Sequence, residues 1–209
     1  MPMEDLLNKI GQLNSTSNAN YSSILERVLI TTIEMLRDRN FNVTNDCRTV
    51  GDIIFKMEKC ESILYGENIQ ENKSIVVFFH NDDRIGVKQL RNWSENYADS
   101  KIIIVSLEGP TAFTKREAEQ NYFNIQFFTF KDLCSNITKH ALVPKHEVIQ
   151  KENLKYKVKS DEEWPKLYKN DPIAQYYDFQ VGDLIKITRS YGYPETVLFY
   201  RLVCHPTTS

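Results

Sequence analysis

A chain of 209 residues, 41% hydrophobic and 26% charged, has room for a buried core in one large or two small domains. Its formal net charge of −2 excludes a global basic field, so any contact with a polyanion has to be a local patch. No run nears the ~20 apolar residues of a membrane span, and MPMEDLLNKIGQLNS lacks the basic-then-apolar order of a secretory signal. Both point to an intracellular protein with reduced thiols.

Residues 1–20 are polar and read as a flexible lead-in. YSSILERVLITTIEMLRDRN (21–40) follows, with Leu25, Val28, Leu29, Thr32 and Leu36 on one helical face. Ser23 and Glu26 have capping-box spacing, and Asn40 suits the stop. A second, shorter helix is expected over 46–64. Three apolar runs rich in β-branched and aromatic residues then predict strands buried on both faces: SIVVFFH (74–80), KIIIVSL (101–107) and NIQFFTF (124–130). Helical segments beginning near Val87 and Thr114 separate them. That order predicts an α/β domain over 21–134, a mixed sheet flanked by helices.

The character changes at NITKHALVPKHEVI, and a charged, proline-broken stretch leads to DLIKITRS (183–190) and TVLFYRLV (196–203). The two runs predict a hairpin closed by YGYPE, in a small α+β domain over 135–209. That domain carries 11 Lys+Arg against 9 Asp+Glu, net +2, leaving −4 on the rest. The asymmetry is too mild to name a ligand.

His140 and His146 pose the first chemical question. Six residues is far from a whole number of helical turns, and Pro144 would break a helix between them. On a strand they would lie about 20 Å apart. Neither geometry makes a shared metal site, and no Cys-x-x-Cys pair occurs among the four cysteines to supply one. Hydrogen-bonding partners within the domain or a docking subunit are expected instead.

The α/β order also suits the core of many metal-dependent nucleases. Those need an Asp and then a Glu-x-Lys on a neighbouring strand to hold a divalent ion and place a water. Here that strand reads VVFFH, Glu58 falls in a helical segment, and Asp82 and Asp83 sit in a turn. If the core did cleave nucleic acid, Asp52 or Asp82 would carry it. Phosphate-binding and nucleophile-elbow motifs are absent, and seven glycines leave little for a phosphate cradle. The local basic element is GPTAFTKRE (109–117). Thr111 or Thr114 can cap the helix that follows, whose N-terminus, with Lys115 and Arg116, suits a DNA phosphate. The same residues equally describe a capped surface helix with solvated charges.

Three elements in the C-terminal third, NITKHALVPKHEVI, DPIAQYYDFQVGDLIKITR and FYRLV, resemble the fifth-largest subunit shared by eukaryotic RNA polymerases I, II and III. The archaeal counterpart of that polypeptide comprises only this part. Asn136 to His146 matches the family pattern N-I-T-x-H-x-L-V-P-x-H throughout. LRDRNFNVTND, VVFFHNDDRIGVKQLRNW and GPTAFTK resemble the family's N-terminal segments more loosely, in order. The resemblance implies a jaw domain with a nuclease-like core and no active site, projecting toward downstream double-stranded DNA. It also implies an assembly domain docked on the largest polymerase subunit. No cofactor, metal, membrane or small-molecule substrate is implied, and no catalytic residue.

Carried onto this chain, Thr111, Thr114, Lys115 and Arg116 become DNA-contact candidates. His140, Leu142, Val143, Pro144 and His146 would build the junction. Asp171, Pro172, Ala174, Tyr176, Gly182, Tyr200 and Arg201 would belong to the assembly fold. The sequence departs from the family at Gln175, where an Arg is usual, and at Asp178, where a Gly is usual. These departures, with an Ile- and Asn-rich composition, point to a polymerase of a large DNA virus or a divergent protist. The expected location is the nucleus for a cellular protein, and a cytoplasmic factory or virion for a viral one.

Overall fold

The computed structural model describes residues 18–45, 47, 49–80, 85–122, 124–151, 163–190 and 196–206. The turn at Asp82 and Asp83, the YGYPE loop and most of the lead-in lie outside the described residues. The chain divides into two compact units between Ser135 and Asn136.

The N-terminal unit opens with α1 (Asn18–Asp38), which buries Tyr21, Leu25, Val28, Met35 and Leu36 along one stripe. The helix begins five residues before Ser23, so the expected capping box at Ser23 and Glu26 does not form. Those residues are interior to a longer helix. Asn40 ends it in the left-handed conformation, φ 64°, and the Phe41 amide donates back to Leu36 O.

Next come β1 (Asn42–Asn45), α2 (Val50–Glu58), β2 (Leu64–Asn68), β3 (Lys73–His80), α3 (Val87–Asn96), β4 (Ser100–Ser106), α4 (Ala112–Asn121), β5 (Ile125–Thr129) and the short α5 (Phe130–Leu133). The sheet order is β1-β2-β3-β4-β5. Pairing is antiparallel from β1 to β3 and parallel from β3 to β5, with α3 and α4 as crossovers. The sheet is mixed, and its central strands bury both faces: Ile102, Ile103, Ile104 and Val105 are all inaccessible to solvent. On one face Val76, Phe78, Ile102 and Ile104 pack with Leu90, Trp93 and Ala118 from the crossovers. Phe78 and Trp93 stack with centroids 5.2 Å apart.

Strands β1 and β2 were not expected from the sequence. β2 is the tighter fit. A Cβ on Gly66 would lie 2.9 Å from Ile75 Cγ2 and 3.2 Å from Phe41 Cβ, so only glycine lets the chain pass.

The C-terminal unit runs from a 3₁₀ turn (Ile137–Lys139) through β6 (Lys145–Ile149), β7 (Lys166–Tyr168), α6 (Pro172–Tyr177), β8 (Leu184–Ser190) and β9 (Thr196–Cys204). The sheet order is β6-β8-β9-β7, antiparallel except for the β7–β9 pair. Leu167, Ile173, Ala174, Phe179, Ile185, Ile187 and Val203 form its core, and Ile137 and Val143 pack against it. β8 and β9 stand where the alternating pattern places them. The flanking β6 and β7 add a mixed four-stranded sheet to that hairpin.

Candidate nucleic-acid and subunit interfaces

The NITKHALVPKH stretch is built from side chains that bond the backbone beside them. Asn136 Oδ1 accepts from the Thr138 amide (2.9 Å) and hydroxyl (2.6 Å), while its Nδ2 donates to the hydroxyl of buried Tyr176 (3.0 Å). One amide thus caps the 3₁₀ turn and ties it to α6, forty residues on. His140 Nδ1 accepts from the Leu142 amide (3.2 Å), so its proton sits on Nε2. His146 Nδ1 lies 2.7 Å from Pro144 O, an oxygen that only accepts, so here the proton sits on Nδ1. The two imidazoles hold opposite tautomers, each fixed by local backbone. Among the described residues no three His, Cys, Asp or Glu side chains gather as metal ligands.

His146 is partly buried on β6, beside Ile187 of β8. Burial pushes its pKa below 6.5, the Pro144 bond and Asp171 oppose that shift, and Arg189 and Arg201 reinforce it. On the next residue of β6, Glu147 accepts from Lys145 (2.6 Å) and Lys186 (2.8 Å), which lower its pKa to about 2.

Asp171, Pro172 and Ala174 form the start of α6. The Asp171 carboxylate accepts from the Ile173 amide (2.8 Å), Pro172 occupies the first turn where an N–H is dispensable, and Ala174 is buried in the core. Asp178 ends the helix at φ 56°, ψ 39°. The glycine usual in the resembled family is the residue that conformation favours. Gly182 has φ +97° with open space around it, so conformation rather than crowding requires glycine there. Tyr200 meets Trp164 edge-on at 6.2 Å, and Arg201 Nη1 donates to Lys166 O (3.0 Å), bracing β9 against β7.

Val143 is partly buried against the core and Pro144 half-buried, whereas Leu142 is 85% exposed. Three consecutive apolar residues of β9 are also open: Val197 (41%), Leu198 (48%) and Phe199 (41%). The sequence reading included none of these three among the site residues. Their only signal was an apolar run that looked like ordinary core.

In the N-terminal unit, Thr111 caps α4 by accepting from the Thr114 amide (3.2 Å). Thr114 is 3% exposed and its hydroxyl donates to Ile85 O (2.8 Å). With that proton committed, the Thr111 hydroxyl donates to Thr114 Oγ1 (2.9 Å). Thr114 therefore cannot touch DNA. It bolts the N-terminus of α4 to the segment entering α3. Lys115 and Arg116 are exposed, as is Phe113 (68%). The carboxylate of Asp52 accepts from the Thr49 amide (2.8 Å) in a helix capping box, an ordinary structural task.

Residues 135–203 match the family RNA polymerase Rpb5, C-terminal domain. Over a longer span the chain is 28% identical to "DNA-directed RNA polymerases I, II, and III subunit rpabc1" of Dictyostelium discoideum, covering 82% of this chain and 93% of that one. It is 29% identical to "DNA-directed RNA polymerases IV and V subunit 5B" of Arabidopsis thaliana (83% and 86%). Against "DNA-directed RNA polymerases I, II, and III subunit RPABC1" of Caenorhabditis elegans identity is 28% (86% and 95%). All three sources are cellular and lend the viral option no support. The domain match covers most of the C-terminal unit, and the similarity to named polymerase subunits runs on through the α/β unit.

Proposed function

We propose that this chain is a non-catalytic subunit of a multisubunit DNA-directed RNA polymerase, in which other subunits carry RNA synthesis. The observation that carries this reading is a similarity to named polymerase subunits that covers nearly the whole of them and runs through both units. On this reading residues 135–209 form an assembly domain docked on the largest subunit. The open apolar side chains of Leu142, Val197, Leu198 and Phe199 support it, because a docked domain needs apolar surface to bury. Residues 21–134 act as a jaw with a nuclease-like core, presenting Thr111, Lys115 and Arg116 toward downstream duplex DNA. A nuclease or a free-standing DNA-binding module has no such support. The protein works wherever its polymerase does, in the nucleus of a cellular source.

Affinity purification of the tagged chain from its native cells under gentle salt tests the reading. The two largest polymerase subunits are the expected companions, in near-stoichiometric amounts. Repeated recovery of the chain without them would overturn the proposal.

A further inference from the structure

One edge of the C-terminal sheet is half covered. β7 pairs with β9 only at Leu202, Val203 and Cys204, so among the described residues no strand lies beyond Thr196 to Phe199. The direction of the backbone groups follows from two bonds. The Leu202 amide donates to Pro165 O, on the β7 side, and the Val203 amide to Asp183 O, on the β8 side. The β8–β9 register runs without a bulge from Leu202 back to Thr196. Successive amides of a strand point to opposite edges, so the Leu198 N–H points out of the uncovered one. The open apolar side chains sit on that same segment and occupy both faces of the sheet. Val197 and Phe199 share a face with Ile187, and Leu198 lies on the other, opposite Thr188.

The charge around this edge leans positive, although Asp171 also acts on His146 on the Phe199 face. Arg189 lies over the Phe199 ring at 5.4 Å, and Arg201 stands two residues along the same face. On the other face Lys186 and Lys145 outnumber the one carboxylate between them, Glu147. Soluble proteins usually protect an edge strand with inward charges, proline or a covering segment. Among the described residues this edge instead offers a ladder of backbone groups between two apolar faces, with an excess of cations nearby.

We infer that the uncovered edge of β9, Thr196 to Phe199, takes an extended segment of the docking polymerase subunit as an added strand. That segment carries apolar side chains with neighbouring carboxylates. Backbone pairing supplies the register, the apolar residues cover Val197, Leu198 and Phe199, and the carboxylates meet Arg189 and Lys186. The inference rests on the assembly reading and adds the mode of docking.

The test uses the full chain and the polymerase purified with it. Leu198→Pro removes the outward N–H, a change an edge strand tolerates, while Leu198→Ala removes the side chain and keeps the N–H. Leu198→Pro is expected to lower capture of the largest subunit at least tenfold, and Leu198→Ala no more than about threefold, with both variants melting near the wild type. Hydrogen exchange on the unmodified chain gives a readout that depends on no variant: the peptide spanning 196–200 is expected to exchange at least tenfold more slowly in the polymerase than free. Strand addition is overturned if the wild type captures the subunit but exchange at 196–200 is unchanged, or if the proline variant captures it as well as the alanine variant does. Failure of the wild type to capture it at all overturns the assembly reading instead.

Discussion

Asp178 carries a backbone conformation that its side chain does not favour. An L-residue in the left-handed region costs roughly 1–2 kcal/mol, less for Asp, and glycine there gives up about 0.5–1 kcal/mol through the unfolded chain. Asp178→Gly is therefore expected to stabilise the protein by about 0.5 kcal/mol, read as a rise in the denaturant midpoint. His146 makes a pH-dependent contribution of the opposite kind to a salt bridge. Its pKa is lowered in the fold, so the unfolded chain binds the extra proton first. Its neutral form costs no stability above the ordinary value of 6.5, and stability falls as pH drops below it toward the folded value. Replacing it by Gln should flatten the stability–pH curve in the window below pH 6.5. An unchanged slope would mean that other groups dominate that window.

At the scale of elements, the readable ones were those whose burial is unambiguous. β3 and β4 declared themselves through continuous apolar runs. β5 was read from the same pattern, but it is the edge strand and Phe128 is its one buried residue, so burial on both faces does not hold there. β1 and β2 did not: NVTN is short and polar, and LYGEN gains its place from Gly66 fitting beneath Ile75, a contact set by tertiary packing. β6 and β7 likewise gain strand pairing only beside β8 and β9. The start of α1 was misjudged because a serine pair with a well-placed glutamate looks the same inside a helix as at its end. The candidate site was legible in part. Thr111 is the cap its spacing suggested, but burial of Thr114 follows from α4 docking on the segment before α3, which local sequence does not encode. Thr114→Val should cost about 1–3 kcal/mol by leaving the buried Ile85 carbonyl unpaired. Thr111→Ala should cost about 1 kcal/mol as a lost cap. Thermal melts separate the two.

For the whole molecule, the jaw reading makes a quantitative claim about salt. Two phosphate contacts contribute about 1.8 to the slope of log affinity against log salt, at ~0.9 per contact with duplex DNA. Lys115→Ala with Arg116→Ala, assembled into the polymerase, should weaken downstream-DNA binding and lower that slope by about this amount. Subunit composition should not change. An unaltered slope would remove α4 from the DNA path. A loss of assembly would show that these cations serve the polymerase rather than the template.

The division between Ser135 and Asn136 also sets a timetable. Ribosomes add ~5–20 residues per second, so residues 136–209 take about 4–15 s to make. That is ample time for the α/β unit to fold on the nascent chain. Among the described strands of its sheet β9 is made after the other three, and β6, β7 and β8 cannot close that sheet before it arrives. Its outer edge is thus displayed only after the other three strands of the sheet have been made. On the strand-addition inference, that edge stays open to a wrong neighbour until the partner subunit covers it.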